Sequence, residues 1–392
     1  MLTRQGWVVL VVATGVLVAA RAFGIIELYV AGCVLAILPL AAFLYVRAVR
    51  VRLRVARSLS PTRVHAGDAT RVELGATNLG GRRTPVLRLR DPVGGTRGAL
   101  LHLAPLRPGE SARAAYRLPT TRRGIIAVGP LGLEVGDPFG LASQQAEAAP
   151  ILELTVYPRI DRIAAPGGGG DRDPHGAVAN PNVLGQQGDD FYSLREYVVG
   201  DDLRRVHWPS TARRDELMVR HDEMPWQDRT TVVLDVRRAS HSAASLERAV
   251  SAAASVVTAA AAEEHLTRFM ASDAVDSGLG SGIAHNEAIL EYLARLDVVG
   301  HGSLRQVLDT LTRANQGGIL IAILGRATPA ELDTLARLRR SFRLVVAVVS
   351  EPPVPDPSPL QARLTRVDNT RDGAFAPSWG SMVRSRRTEV VV

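Results

Sequence analysis

Lysine is missing from the 392-residue chain, and cysteine occurs once, as Cys33. A single cysteine excludes an intramolecular disulfide framework and any Cys₂ or Cys₄ zinc module. The missing lysine makes arginine the only strongly basic side chain. With the richness in Ala, Gly and Val, this reads as codon bias of a GC-rich genome and carries no functional message. Apolar residues make up 46% and charged ones 22%, which excludes global disorder. At about 150 residues per domain, the length suggests two or three units.

The formal charge is +8, and its location matters more than its size. Arg47, Arg50, Arg52, Arg54 and Arg57 cluster with no acid among them, directly after a long apolar run. A membrane-flanking role explains such a cluster better than a nucleic-acid surface does. Two apolar runs open the chain. The first covers residues 7–20 and extends to Phe23 if Arg21 snorkels to the interface. The second, residues 25–46, is long enough to cross a hydrocarbon core of about 30 Å as one helix, with Glu27 at an interface position. A tight transmembrane hairpin over residues 1–50 follows. A cleaved signal peptide is the competing reading, weakened by the second run and by the lack of a small-residue cleavage site before it. Only Arg4 precedes the first run and five arginines follow the second, so positive-inside bias puts both flanks and the rest of the chain in the cytoplasm. A single span would reverse that orientation.

Residues 51–160 change to short alternating strands. Val72, Leu74 and Ala76 alternate with Arg71, Glu73 and Gly75, and Leu87 and Leu89 with Arg88 and Arg90; turn signals recur at Pro108-Gly109, Gly129-Pro130 and Asp137-Pro138. This pattern predicts an Ig-like β-sandwich serving as a structural or interaction module. Residues 161–188, with Pro166 and the four glycines after it, read as a flexible linker. Residues 189–229 form a charged segment. Residues 230–350 alternate strands with helices, predicting an α/β domain with a parallel sheet. Residues 351–392 form a C-terminal extension in which Phe375 and Trp379 dock back as a short element.

The charged segment carries the information. It contains Arg195-Glu196-Tyr197, Gly200-Asp201-Asp202, Arg204 with His207-Trp208, Ala212-Arg213, and Leu217 with Val219. This run resembles the signature of the domain of unknown function 58 family. The resemblance extends upstream to the Asp137-Pro138-Phe139-Gly140-Leu141 motif and downstream into the α/β half. It implies a membrane anchor, a von Willebrand factor A-like C-terminal domain, and association with MoxR-type AAA+ ATPases and transglutaminase-like membrane proteins. It also implies an accessory or adaptor role, with no established biochemical activity.

Read from its residues alone, the segment is close to neutral. Arg195, Arg204, Arg205, Arg213, Arg214 and Arg220 face Glu196, Asp201, Asp202, Asp215, Glu216, Asp222 and Glu223. A nucleic-acid site needs a clear positive surplus, so none is expected. Interleaved charges suggest arginine forks gripping carboxylates. Gly200-Asp201-Asp202 reads as a turn and N-cap, starting a short helix at Leu203 that Pro209 stops and Trp208 anchors. The rival reading is an enzyme in which Asp201, Asp202, Arg204 and His207 converge in a cleft. His207, His221 and Asp222 lack zinc spacing, and Glu263-Glu264-His265 reads as a solvated helix end.

Metal-binding von Willebrand A domains place Asp-x-Ser-x-Ser after the first strand, where hydroxyls and a carboxylate hold a divalent cation. Here Asp235 is followed by Arg237 and Ala239 at the hydroxyl positions, and Gly325-Arg326 stands where an Asp-Gly is common. A degenerate, metal-free site at Asp235 is expected, with Arg326 pairing to it. Neither a cofactor nor a catalytic residue is assigned.

Overall fold

The computed structural model describes residues 1–49, 51–167, 192–196, 211, 218–222, 229–298, 300, 302–314, 317–352 and 358–390. The chain divides into two compact units, Met1–Arg159 and Ile160–Val392.

The first unit opens with α1 (Arg4–Phe23) and α2 (Ile26–Ala48), each long and apolar enough to cross a membrane. Thr3 caps α1 by accepting the Gly6 N–H, and Gly24 ends it in the left-handed conformation, φ 67°, its N–H donating to the Ala20 carbonyl. Gly32 on α2 lets Leu17 of α1 come close; a Cβ there would lie 2.7 Å from the leucine side chain. Much of the remaining surface is apolar and exposed, as at Val11, Val18, Val30, Val34 and Ile37, which is compatible with a membrane anchor.

The strands after the hairpin are β1 (Leu53–Ser60), β2 (Arg63–His65), β3 (Arg71–Asn78), β4 (Leu87–Asp91), β5 (Ala99–Leu103), β6 (Ser111–Arg117), β7 (Gly124–Val128), β8 (Leu131–Gly136), β9 (Ser143–Ala149) and β10 (Leu152–Tyr157). They form three sheets, ordered β1-β3-β6, β2-β10-β7 and β5-β4-β8-β9. Alternate residues point into one core that includes Val72, Leu74, Leu87, Leu89, Leu131 and Leu154. A buried ion pair, Arg57 with Asp91, enters it. Arg57 belongs to the inward set Leu53, Val55, Arg57 and Leu59 of β1, and 1% of its side chain is exposed. It therefore does not flank the membrane, which corrects the sequence-based expectation for this residue.

The second unit holds a two-stranded ribbon, β11 (Tyr192–Glu196) against β12 (Met218–Asp222), and a six-stranded sheet. The sheet comprises β13 (Arg229–Leu234), β14 (Leu266–Ala271), β15 (Asp276–Gly280), β16 (Ile319–Leu324), β17 (Leu344–Val349) and β18 (Thr365–Asp368), ordered β15-β14-β13-β16-β17-β18. It is mixed rather than all-parallel, because β15 returns antiparallel to β14 through a tight turn. The helices are α3 (Ala243–Ala262), α4 (Ile283–Arg295), α5 (Leu304–Ala314), α6 (Pro329–Arg337) and α7 (Phe375–Val390). α3 starts in a capping box at Ser242, and α6 in another at Thr328 with Pro329 at its first position. Trp379 of α7 is fully buried, and its indole N–H donates to the Ala164 carbonyl at 2.9 Å.

Candidate functional site

Asp235 follows β13 directly. The chain leaves β13 for β14 on one side and later returns to β16 on the other, so Asp235 stands where the strand order reverses. That is the crevice in which open α/β sheets place ligands. Its side chain is fully buried, and a fork from two residues on closes over it. The Arg237 guanidinium donates from Nε to Oδ1 at 2.8 Å and from Nη2 to Oδ2 at 2.9 Å. The same guanidinium reaches Glu331 through Nη1 at 2.8 Å, and Ser272 Oγ donates to Asp235 Oδ1 at 3.3 Å. One cation is thus shared between two carboxylates, and the Asp235 hydrogen bond leads in raising the Arg237 pKa against the opposing effect of burial.

The polar network continues along this edge. His241 Nε2 lies 2.8 Å from the Asp235 carbonyl and Nδ1 lies 3.1 Å from Ser245 Oγ. Burial lowers the His241 pKa, the negative charges of Asp235 and Glu351 opposing it. Glu351 accepts from the Ser242 hydroxyl at 2.9 Å; burial raises its pKa, but the hydrogen bonds from Ser245 and Ser242 outweigh that and hold it below the usual carboxylate value. Gly325 makes this close packing feasible, since a Cβ there would lie 2.2 Å from the Ser240 carbonyl oxygen. Gly325 stands where an Asp-Gly is common, and its use here is close approach.

Arg326 does not pair with Asp235. Its backbone N–H donates to the Ser240 carbonyl at 2.7 Å, and Arg237 is the partner instead. The beginning of the reason is reach: two residues after the aspartate, an arginine folds its fork straight back. The cavity beside Arg326, lined by Leu324, Ala327, Leu332, Val349 and Arg366, has about 20 Å³ of free space. That is room for roughly one water, against about 300 Å³ or more for a small-molecule site.

The Glu263-Glu264-His265 group departs from expectation at its histidine. His265 is buried, with Nδ1 3.0 Å from Thr230 Oγ1, whereas the two glutamates are exposed. Among the signature residues, Arg195 pairs across the ribbon with Val219 and Glu196 with Met218, so β11 and β12 bring the two ends of the signature together. Tyr197, Gly200, Asp201, Asp202, Arg204, His207, Trp208, Ala212, Arg213 and Leu217 lie outside the described residues.

Residues 193–352 match the family described as Protein of unknown function DUF58. This segment is a DUF58 region. The match starts inside β11, takes in the whole signature and the Asp235 cage, and ends before β18 and α7. No curated protein matches the chain. Among solved structures, the CARDB domain of a Pyrococcus furiosus protein is 19% identical, over 27% of this chain and 93% of its own, with a TM-score of 0.22. A β-glucosidase from Erythrobacter marinus is 16% identical over 24% of this chain and 15% of its own, with a TM-score of 0.17. A Listeria innocua β-glucosidase is 14% identical over 25% of this chain and 16% of its own, again at 0.17. Overlaps this slight support nothing about activity.

Proposed function

We propose that the chain is a membrane-anchored accessory protein whose folded units face the cytoplasm and which acts by protein–protein contact, in assembly or maturation driven by a MoxR-type AAA+ ATPase. In this reading the β-rich domain is an Ig-like module. The α/β unit is a von Willebrand A-like domain whose cation position has been filled by the protein itself. The observation that carries the reading is the Asp235–Arg237–Glu331 cage. A metal-dependent A-type domain needs a carboxylate and hydroxyls open to a cation. Here a guanidinium covers both carboxylate oxygens, with Arg237 and Ala239 at the hydroxyl positions, so the residues present do not fit a divalent metal. Recognition would then fall to surfaces, which is what an adaptor uses.

Affinity capture of the full chain from detergent-solubilised membranes, with and without ATP, tests this. The expected result is an AAA+ ATPase retained in one nucleotide state and released in the other. Recovery of the chain with no ATPase in either state would overturn the proposal.

A further inference from the structure

The loop carrying the Asp137-Pro138-Phe139-Gly140-Leu141 motif does not face the β-domain core. It is bound to the start of α1. Thr3 donates its hydroxyl to the Gly140 carbonyl at 2.6 Å and its N–H to the Leu141 carbonyl at 2.9 Å. Leu2 and Ala142 form a β-bridge, and Leu141 and Ala142 share an apolar cluster with Ala42 and Val46 of α2. Gly6 is required at this contact, since a Cβ there would lie 2.2 Å from the Leu141 carbonyl oxygen. The loop is therefore held at the level of the first turn of α1.

Three further features concern what surrounds it. The one acid of the motif is turned inward: Asp137 accepts from the Phe139 N–H at 2.8 Å and the Ala142 N–H at 2.6 Å and is 8% exposed. Phe139 is instead 66% exposed, at the same end of the hairpin as the exposed aromatics Trp7 and Tyr45. Beside it an open cleft of about 460 Å³ is lined by Arg4, Gln5, Val8, Val9 and Leu141, with a cation at one end, apolar walls below and no carboxylate among the lining residues. Aromatic rings and arginines at the ends of spanning helices belong at headgroup level.

We propose that residues 137–142 form a membrane-interface element: Phe139 inserts among the headgroups, and the cleft takes an anionic phospholipid with its phosphate on Arg4 and its acyl chain along Val8 and Val9. The proposal rests on the hairpin crossing the bilayer. It ties the β-domain to the membrane surface by a contact additional to the two helices, and it gives the motif a role that the α/β unit does not.

The full chain carrying Cys33→Ser, with single cysteines placed by Phe139→Cys, Val12→Cys or Leu100→Cys, is labelled with an environment-sensitive fluorophore and reconstituted into phosphatidylcholine vesicles containing phosphatidylglycerol. Lipids spin-labelled at the headgroup should quench the label at 139 several-fold more than that at 100, and lipids labelled at mid-chain should quench the label at 12. Headgroup-labelled phosphatidylglycerol should quench at 139 more than the same fraction of labelled phosphatidylcholine, and Arg4→Gln should abolish that preference. A label at 139 quenched no more than at 100, while that at 12 is quenched, overturns the inference and leaves the hairpin standing. Equal quenching by the two headgroups overturns the anionic site. Absence of quenching at 12 overturns the hairpin and the inference together.

Discussion

Arg57 and Asp91 form an ion pair at 2.6 Å with side chains 1% and 0% exposed, completed by the Tyr116 hydroxyl, which donates to Asp91 at 2.7 Å. Arg57 also donates to the Val128 and Pro150 carbonyls, so one guanidinium ties β1 to β4, to the end of β7 and to the turn before β10. Burial, with the Asp91 hydrogen bond next, raises the Tyr116 pKa, so this hydroxyl stays a donor across the physiological range. Removing one partner of such a pair leaves a buried charge and costs about 3–5 kcal/mol. Arg57→Ala and Asp91→Ala should each lower the unfolding free energy, measured by denaturant titration, by such an amount, and the double variant should lose much less than the sum. Additive losses would contradict the pairing. His241 gives a second prediction for single side chains. Its folded-state pKa is lowered, so the unfolded chain takes up the proton more readily as pH falls below about 6.5. Stability of the wild-type chain should be fully present above that pH and decline toward pH 5, and His241→Asn should flatten the decline. A profile unchanged by the substitution would refute the assignment.

At the scale of elements, β16 and β17 were legible because Ile319–Leu324 and Leu344–Val349 are unbroken apolar runs in a sheet covered on both faces, and β13 and β14 were legible through their apolar ends, residues 232–234 and 269–271. β15 and β18 were not, since Asp276–Gly280 and Thr365–Asp368 are short, polar edge strands whose pairing is decided by their neighbours. Arg57 was misplaced for a different reason. An arginine after an apolar run looks the same whether it snorkels or is buried, yet its two-residue phase with Leu53, Val55 and Leu59 marked the inward face. An arginine partner for Asp235 was legible, but its identity, Arg237 in place of the expected Arg326, needed the geometry. Millimolar Mg²⁺ or Mn²⁺ should leave the melting temperature unchanged, whereas a site filled at 100 times Kd would add about 2.7 kcal/mol. A saturable upward shift would contradict the cage. Gly325→Ala should cost about 1–3 kcal/mol, because the Ser240 carbonyl occupies the space a Cβ needs; unchanged thermal melting would show that the turn relaxes freely.

For the whole molecule, the central proposal is that two helices anchor the chain with its folded units on the cytoplasmic side. With Arg57 removed from the flank, that orientation rests on Arg47, Arg50, Arg52 and Arg54 against Arg21 at the turn. A reporter fused after Arg57 would interrupt β1, so small probes on the intact fold are preferable. In a Cys33→Ser background, single cysteines placed by Leu100→Cys, Ile283→Cys and Ile25→Cys sample the β-domain, the α/β unit and the turn between the helices, all at exposed positions. The measurement is labelling by a membrane-impermeant maleimide in wall-stripped cells, before and after lysis. The account predicts labelling at 25 in intact cells, and labelling at 100 and 283 only after lysis. Labelling at 100 and 283 in intact cells, with 25 protected, would contradict it.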